Sequence, residues 1–401
     1  MLESWRWFGS NDPVSLDDIR QTGAQNVVTA LHHLPIGEIW TISEIKRHQS
    51  VINNIERNRS SLHWSLVESI PVHESIKLGR KDCQTYIGNW ITSMENLAKC
   101  GIKTICYNFM PVIDWTRTDL NYQLPNGSFA LRFDQKEFTA FDLYILQRPS
   151  AKDEYSDSEI KEAKTIFNNM SQTQRDQLTS NIICGLPGGM SGSYDLENFS
   201  SALANYQNIS HTELRENLHN FLSQVVPRAE ESGIKLALHP DDPPRNLLGL
   251  PRIVSTKNDL DAIFSREPSP ANGLTLCVGS LGSRLDNDVV SITKTYATRT
   301  YFAHLRTVKI DRADNKSFYE SNHLEGDVNM IQILRILLNE EKRRSNDHNT
   351  SEHEILFRPD HGHQMMDDIG KVVNPGYSAI GRLKGLAELR GAIRALSEEL
   401  L

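Results

Sequence analysis

Eight short runs rich in β-branched and apolar residues recur along the chain, and most are followed by a stretch with helical periodicity. The runs lie at 5–8, 26–31, 63–68, 103–108, 235–238, 274–277, 300–304 and 355–358. Helical patterns include 42–58 after the second run, 84–99 after the third and 329–344 after the seventh. Parallel strands need a crossover between them, so strands alternating with helices imply βαβ units. Eight such units predict a (β/α)8 TIM barrel. A doubly wound open sheet is the alternative, but no GxGxxG follows the first run, so its dinucleotide-binding version lacks support.

A typical barrel needs about 250 residues, and this chain has 401. Most of the surplus falls between the fourth and fifth runs. We read 121–232 there as one long polar insertion, with helical patterns at 156–170 and 211–232. No Pro/Gly-rich linker separates two zones of composition, so 1–401 is read as a single domain. The charged stretch 340–354 predicts an exposed helix end and loop, with His348 and His353 solvated.

A net charge of −8 without a long basic run argues against nucleic acid or an anionic membrane as a main partner. No run of 18 apolar residues predicts a membrane span, and the N-terminal stretch lacks the apolar core of a signal peptide. The five cysteines are Cys83, Cys100, Cys106, Cys184 and Cys277. Their odd number and irregular spacing predict free thiols and a reducing, cytoplasmic setting.

Four successive predicted strands end on chemistry. "IKLALHPDDPPR" ends at His239, "GLTLCVGS" at Cys277, "RTYFAHLR" at His304 and "EILFRPDHGH" at Asp360. In a barrel these ends stand side by side on the C-terminal rim, where the active sites of such folds lie. His, Cys, His and Asp form a plausible metal set. Each also has a plainer reading: a hydrogen-bonded rim histidine, a small buried thiol, or a turn-forming aspartate between proline and histidine. Residues two positions earlier, Ala237, Thr275, Phe302 and Arg358, should point into the barrel. Arg358 fits only if it faces a polar mouth, where it could bind substrate.

Asp360 and His361 point to opposite sides if the chain there is extended. Asp360 is therefore assigned to the metal and His361 to proton transfer, for which an imidazole is suited near neutral pH. Support of a ligand is the alternative for His361, and support or loop structure is expected of His363. Arg306 shares a strand face with His304 and could reach an anionic substrate. A rim salt bridge is the alternative for Arg306; Asn108 and Arg117, beyond the fourth strand, could hold hydroxyls or a carboxylate, with surface hydrogen bonding as the alternative. Asp241 and Asp242, framed by prolines, are read as a rigid loop.

Taken together, the chain resembles the mannonate dehydratase family of hexuronate catabolism. The segments that carry the resemblance include "ALHHLPIGEIW" (30–40), "CYNFMPVIDWTRTDL" (106–120), "TLCVGSLGSRLDND" (275–288), "RPDHGHQMMDD" (358–368) and "NPGYSAIGRLKGLAELRG" (374–391). They extend over nearly the whole chain and are sparsest in the polar insertion. The resemblance implies a (β/α)8 barrel and a carbon–oxygen lyase that eliminates water from D-mannonate to give 2-dehydro-3-deoxy-D-gluconate. It implies Mn2+ or Fe2+ held at His239, Cys277, His304 and Asp360, and proton transfer by His361 and Tyr377. Tyr377 enters only through the resemblance; its surroundings read as a loop before the last helix. A metal-dependent sugar isomerase or epimerase on the same barrel shares these residues and is the rival reading. A homo-oligomer is compatible with the chain, but no segment of it marks an interface.

Overall fold

A computed structural model describes residues 1–53, 60–185, 195–347 and 353–400. In chain order its strands are β1 (Leu2–Arg6), β2 (Asn26–Thr29), β3 (His63–Glu68), β4 (Thr104–Tyr107), β5 (Asp119–Gln123), β6 (Phe129–Phe133), β7 (Lys235–Leu238), β8 (Asn272–Cys277), β9 (Thr300–His304), β10 (Val308–Ile310), β11 (Phe318–Glu320) and β12 (Leu356–Arg358). Eight of these close into a parallel barrel in the order β1–β2–β3–β4–β7–β8–β9–β12, with β12 pairing back to β1. The predicted (β/α)8 barrel is therefore the fold.

The side-chain alternation of each strand explains the packing. Val28, Leu66, Cys106, Ala237 and Phe302 meet inside the barrel. Thr275 joins them, its hydroxyl donating to Ala237 O at 2.9 Å. Their neighbours Val27, Val67, Ile105, Leu236, Leu274 and Ala303 face outward into the core shared with the helices. Helix Cys83–Lys99 follows β3 and helix Met330–Ser345 precedes β12, close to the predicted 84–99 and 329–344. Helix Ile42–Ile52 follows β2; the end of the predicted 42–58 lies outside the described residues.

The long insertion departs from its prediction in one respect. It opens with an antiparallel hairpin, β5–β6, before turning helical. A second excursion, β10–β11, leaves the rim after β9 and pairs with β6. The two excursions form one four-stranded satellite sheet, β10–β11–β6–β5. Its own apolar cluster includes Phe133, Phe138, Phe141, Leu247 and Phe318. The insertion's helices Asp157–Asn169, Gln172–Ile183 and His211–Glu231 each begin with a serine capping box, which explains why such polar sequences start helices where they do.

The charged stretch from 340 is less solvated than predicted. Glu340 and Arg344 are buried, and the Arg344 guanidinium donates to Ala297 O and Thr300 O at 3.0 and 2.9 Å. His353 Nδ1 lies 3.0 Å from Arg344 O, and His348 falls outside the described residues.

Candidate active site at the barrel mouth

Register brings the strand ends together. Cys277 of β8 pairs with His304 of β9, which pairs with Arg358 of β12. His239 extends the β7 ladder by donating its backbone N–H to Tyr107 O at 2.7 Å. One ligand atom each from His239, Cys277 and His304 lies within 4.8 Å of the other two. Nδ1 of His239 is 2.6 Å from Pro240 O, which leaves Nε2 facing His304 Nδ1 at 3.2 Å. Burial lowers the His239 pKa and favours the neutral ring that a metal needs. His304 Nε2 is buried and lies 3.4 Å from Glu68 Oε1, a contact too poorly aligned to count as a full hydrogen bond. Two imidazoles and a thiol, converging and incompletely satisfied, fit a transition-metal ion.

Asp360 comes close to this group. Its Oδ2 is 4.0 Å from Cys277 Sγ and 3.9 Å from His304 Nδ1. The same carboxylate accepts from Arg306 Nε at 2.6 Å and from Arg358 Nη1. Burial pushes its pKa up, but Arg358, His361, His304 and Arg306 outweigh that and hold it well below the carboxylate range. Asp360 has a φ of 66°, in the left-handed region that aspartate tolerates better than most residues. The chain is thus not extended there, and the opposite-sides expectation for Asp360 and His361 fails: both line one cavity. His361 Nε2 lies 3.8 Å from Asp360 Oδ1.

Tyr377 reaches the same cavity through a contact distant from any barrel strand. Residues 374–377 turn back beside 361–363, with Gly362 N donating to Gly376 O at 2.8 Å and a bridge between Gly362 and Tyr377. Gly376, at φ 79°, makes that turn where a Cβ would lie 2.6 Å from Leu131 Cδ1. The Tyr377 ring stands edge-on to His361 at 5.1 Å, and its hydroxyl is buried without a partner. Burial raises its pKa.

Three of the four residues predicted to bind substrate, Asn108, Arg306 and Arg358, line the cavity. Arg358 also forks onto Glu68 at 2.8 and 3.1 Å. Arg306 donates to Asp360, Asp242 and Glu320. Arg117 is fully buried behind the wall, pairing with Asp242 at 2.8 Å and Glu320 at 2.9 Å and stacking on Trp115. The rigid-loop reading fits Asp241, which accepts from Val254 N and Ser255 Oγ, but not Asp242, which faces the cavity. His363 has the supporting place expected of it, with Nε2 2.9 Å from Glu320 O.

Sequence reasoning missed Arg6, Glu68, Trp115 and Glu320. Burial raises the Glu68 pKa, but Arg358, Arg6 and His304 hold it well below the carboxylate range. Its position at the end of a predicted strand, β3, was the available signal. Glu320, on a three-residue strand outside the barrel, offered none.

Barrel and mouth together define the class: a (β/α)8 barrel whose C-terminal rim gathers two histidines and a cysteine that could hold a metal ion. Comparison with known proteins narrows it. The D-mannonate dehydratase family model matches residues 1–400. A mannonate dehydratase from Marinomonas sp. (strain MWYL1) is 51% identical over 400 residues, covering 100% of both chains. One from Chromohalobacter salexigens is 50% identical over 398 residues, covering 99% of each. The crystal structure of mannonate dehydratase from Streptococcus suis serotype 2 superposes with a TM-score of 0.77 at 30% identity, covering 100% of this chain and 96% of that one. The chain belongs to the D-mannonate dehydratase family.

Proposed function

We propose that this barrel eliminates water from D-mannonate to give 2-dehydro-3-deoxy-D-gluconate, with His361 and Tyr377 moving the protons. The observation that carries the roles is the shared cavity, lined by His361, Tyr377 and Asp360 together with His239 and His304, whose ligand atoms lie within 4.8 Å of the buried Cys277 thiol. His239, Cys277, His304 and Asp360 are the proposed metal ligands. We take the ion to be Mn2+ or Fe2+, the hard carboxylate and oxygen-rich substrate favouring these over the zinc that a thiol and two imidazoles also suit.

The difficult step is loss of the C2 proton, because charge builds beside a carboxylate. A bound divalent ion supplies Lewis-acid stabilisation of that charge. One of the pair, His361 or Tyr377, takes the C2 proton, and the electron pair left behind forms the C2–C3 double bond. The C3–O bond breaks as the other group protonates the departing hydroxyl, which leaves as water. The resulting enol gains a proton at C3 and becomes the 2-keto acid, so one water is lost and no electrons are exchanged. Asn108, Arg306 and Arg358 are proposed to contact the substrate. Arg117 acts behind them, holding Asp242 and Glu320.

All five cysteines are free, which supports a cytoplasmic enzyme. No described helix is long and apolar enough to cross a membrane.

Incubation with D-mannonate tests the reading. A 2-keto-3-deoxy acid should accumulate, chelation should abolish its formation and Mn2+ should restore it. An epimer or ketose as product overturns the elimination, and full turnover by protein shown to be metal-free overturns the metal.

A further inference from the structure

We infer that Glu320 is the positioning residue for His361, so that the satellite sheet decides which ring nitrogen meets the substrate. This rests on the proton-transfer role proposed for His361. Glu320 ends β11 and belongs to no barrel strand. Its buried Oε1 lies 3.1 Å from His361 Nδ1. The same oxygen accepts from Arg117 Nη2 and Arg306 Nη1, both at 2.9 Å. Its backbone carbonyl lies 2.9 Å from His363 Nε2, so one residue holds the 361–363 segment at two points.

Packing alone leaves the choice open. Trp115 and Tyr377 meet the His361 ring edge-on, at 6.0 and 5.1 Å, and fix its plane. A half-turn about the Cβ–Cγ bond keeps that plane but exchanges nitrogen for carbon on each side. The two orientations are nearly equal in shape, so only hydrogen bonding distinguishes them. An ionised carboxylate can only accept, and two arginines on Glu320 keep it ionised. The shared hydrogen is therefore on Nδ1, and Nε2 is turned to the cavity with the proton left to the chemistry.

Serving as counter-charge to the arginines does not distinguish Glu320. Asp242 already pairs with both Arg117 and Arg306, and Asp360 pairs with Arg306. The contact with His361 Nδ1 is what Glu320 adds.

The test compares Glu320→Ala, Glu320→Gln and Glu320→Asp with His361→Asn and the double variant Glu320→Ala/His361→Asn, each loaded with Mn2+ and assayed on D-mannonate. Glu320→Ala should lower kcat about 10–100-fold, the usual cost of losing such a partner, with KM and bound metal nearly unchanged. Glu320→Gln should recover most of kcat, because its amide oxygen can accept at the Oε1 position. The double variant should be no slower than His361→Asn, since residues that act through one another do not add. If Glu320→Ala does not fold, Glu320→Asp takes its place. It keeps the charge beside the arginines but withdraws the oxygen from His361 by one methylene, so its kcat should fall in the same way.

Additive losses in the double variant overturn the inference, as does Glu320→Gln no better than Glu320→Ala, or normal kcat in Glu320→Asp. Normal turnover in His361→Asn would instead remove the role proposed for His361. Inactive His361→Asn beside fully active Glu320→Ala would remove Glu320 alone.

Discussion

Cys277 is fully buried, and its thiol receives the Ser280 hydroxyl at 3.0 Å. It could serve simply as a small apolar residue, and Cys277→Ser separates that role from metal binding. Serine nearly matches cysteine in size but ligates far more weakly than a thiolate. The variant should fold with a near-normal melting temperature and lose metal affinity at least about tenfold, the lower end of what even outer-sphere changes cost. Normal metal content by elemental analysis with a lowered melting temperature would return Cys277 to the core. Tyr377→Phe asks the matching question of proton transfer. The lost hydroxyl has no partner among the described residues, so the fold should barely respond. Turnover should fall roughly 10²–10⁴-fold, the usual contribution of a positioned acid or base. Substrate binding measured by calorimetry should persist; near-normal kcat would make Tyr377 a loop residue.

At the scale of elements, helix Ile42–Ile52 carries a titrating group away from the chemistry. His48 packs against the rings of Trp64 at 4.9 Å and Trp7 at 5.6 Å. Burial lowers its pKa from 6.5 to about 4. Between those values the unfolded chain binds a proton that the folded chain refuses, so stability rises with pH across this window. The contribution is complete above about pH 6.5 and is lost as pH falls toward 4. His32, lowered to about 3 by burial, acts in the same direction. The urea midpoint should therefore drop between pH 7 and pH 5, with His48 supplying about 1–2 kcal/mol. His48→Gln should flatten that slope, and an unchanged slope would show that His48 is already solvated. Elements also show where sequence reasoning ran out. β3, β7 and β9 match their predicted runs residue for residue, because each alternates over four to six positions. β10 and β11 are three residues each, too short for a period of two to show. Two of the proposed ligands, His239 beside β7 and His304 at the end of β9, were legible for the same reason. Tyr377 and Glu320 were not, because the one is placed by a contact between two loop segments and the other by a three-residue strand outside the barrel.

Across the whole molecule, the barrel and its satellite sheet are joined by buried charge. Arg117 follows β4, Asp242 follows β7, Arg306 follows β9, Glu320 ends β11 and Asp360 follows β12. Two ion pairs among them cross from the rim to the sheet, Arg117 to Glu320 and Arg306 to Glu320, each at 2.9 Å, and Arg306 also pairs along the rim with Asp360 at 2.6 Å. Removing one member leaves carboxylates buried without their cation, which typically costs about 3–5 kcal/mol. That cost should fall on both parts at once, and we propose that barrel and excursions unfold as one unit. Arg117→Leu keeps much of the apolar contact with Trp115 and Phe318 but removes the charge. In urea, wild type should lose helical circular dichroism and D-mannonate turnover at one midpoint. Arg117→Leu should move both to lower denaturant together. If turnover disappears well before the helical signal in wild type, the satellite sheet melts separately and the single-unit proposal fails. If the two losses coincide but Arg117→Leu leaves them unmoved, the charges at the mouth are hydrated enough to contribute little, and the shared apolar packing is what joins the two parts.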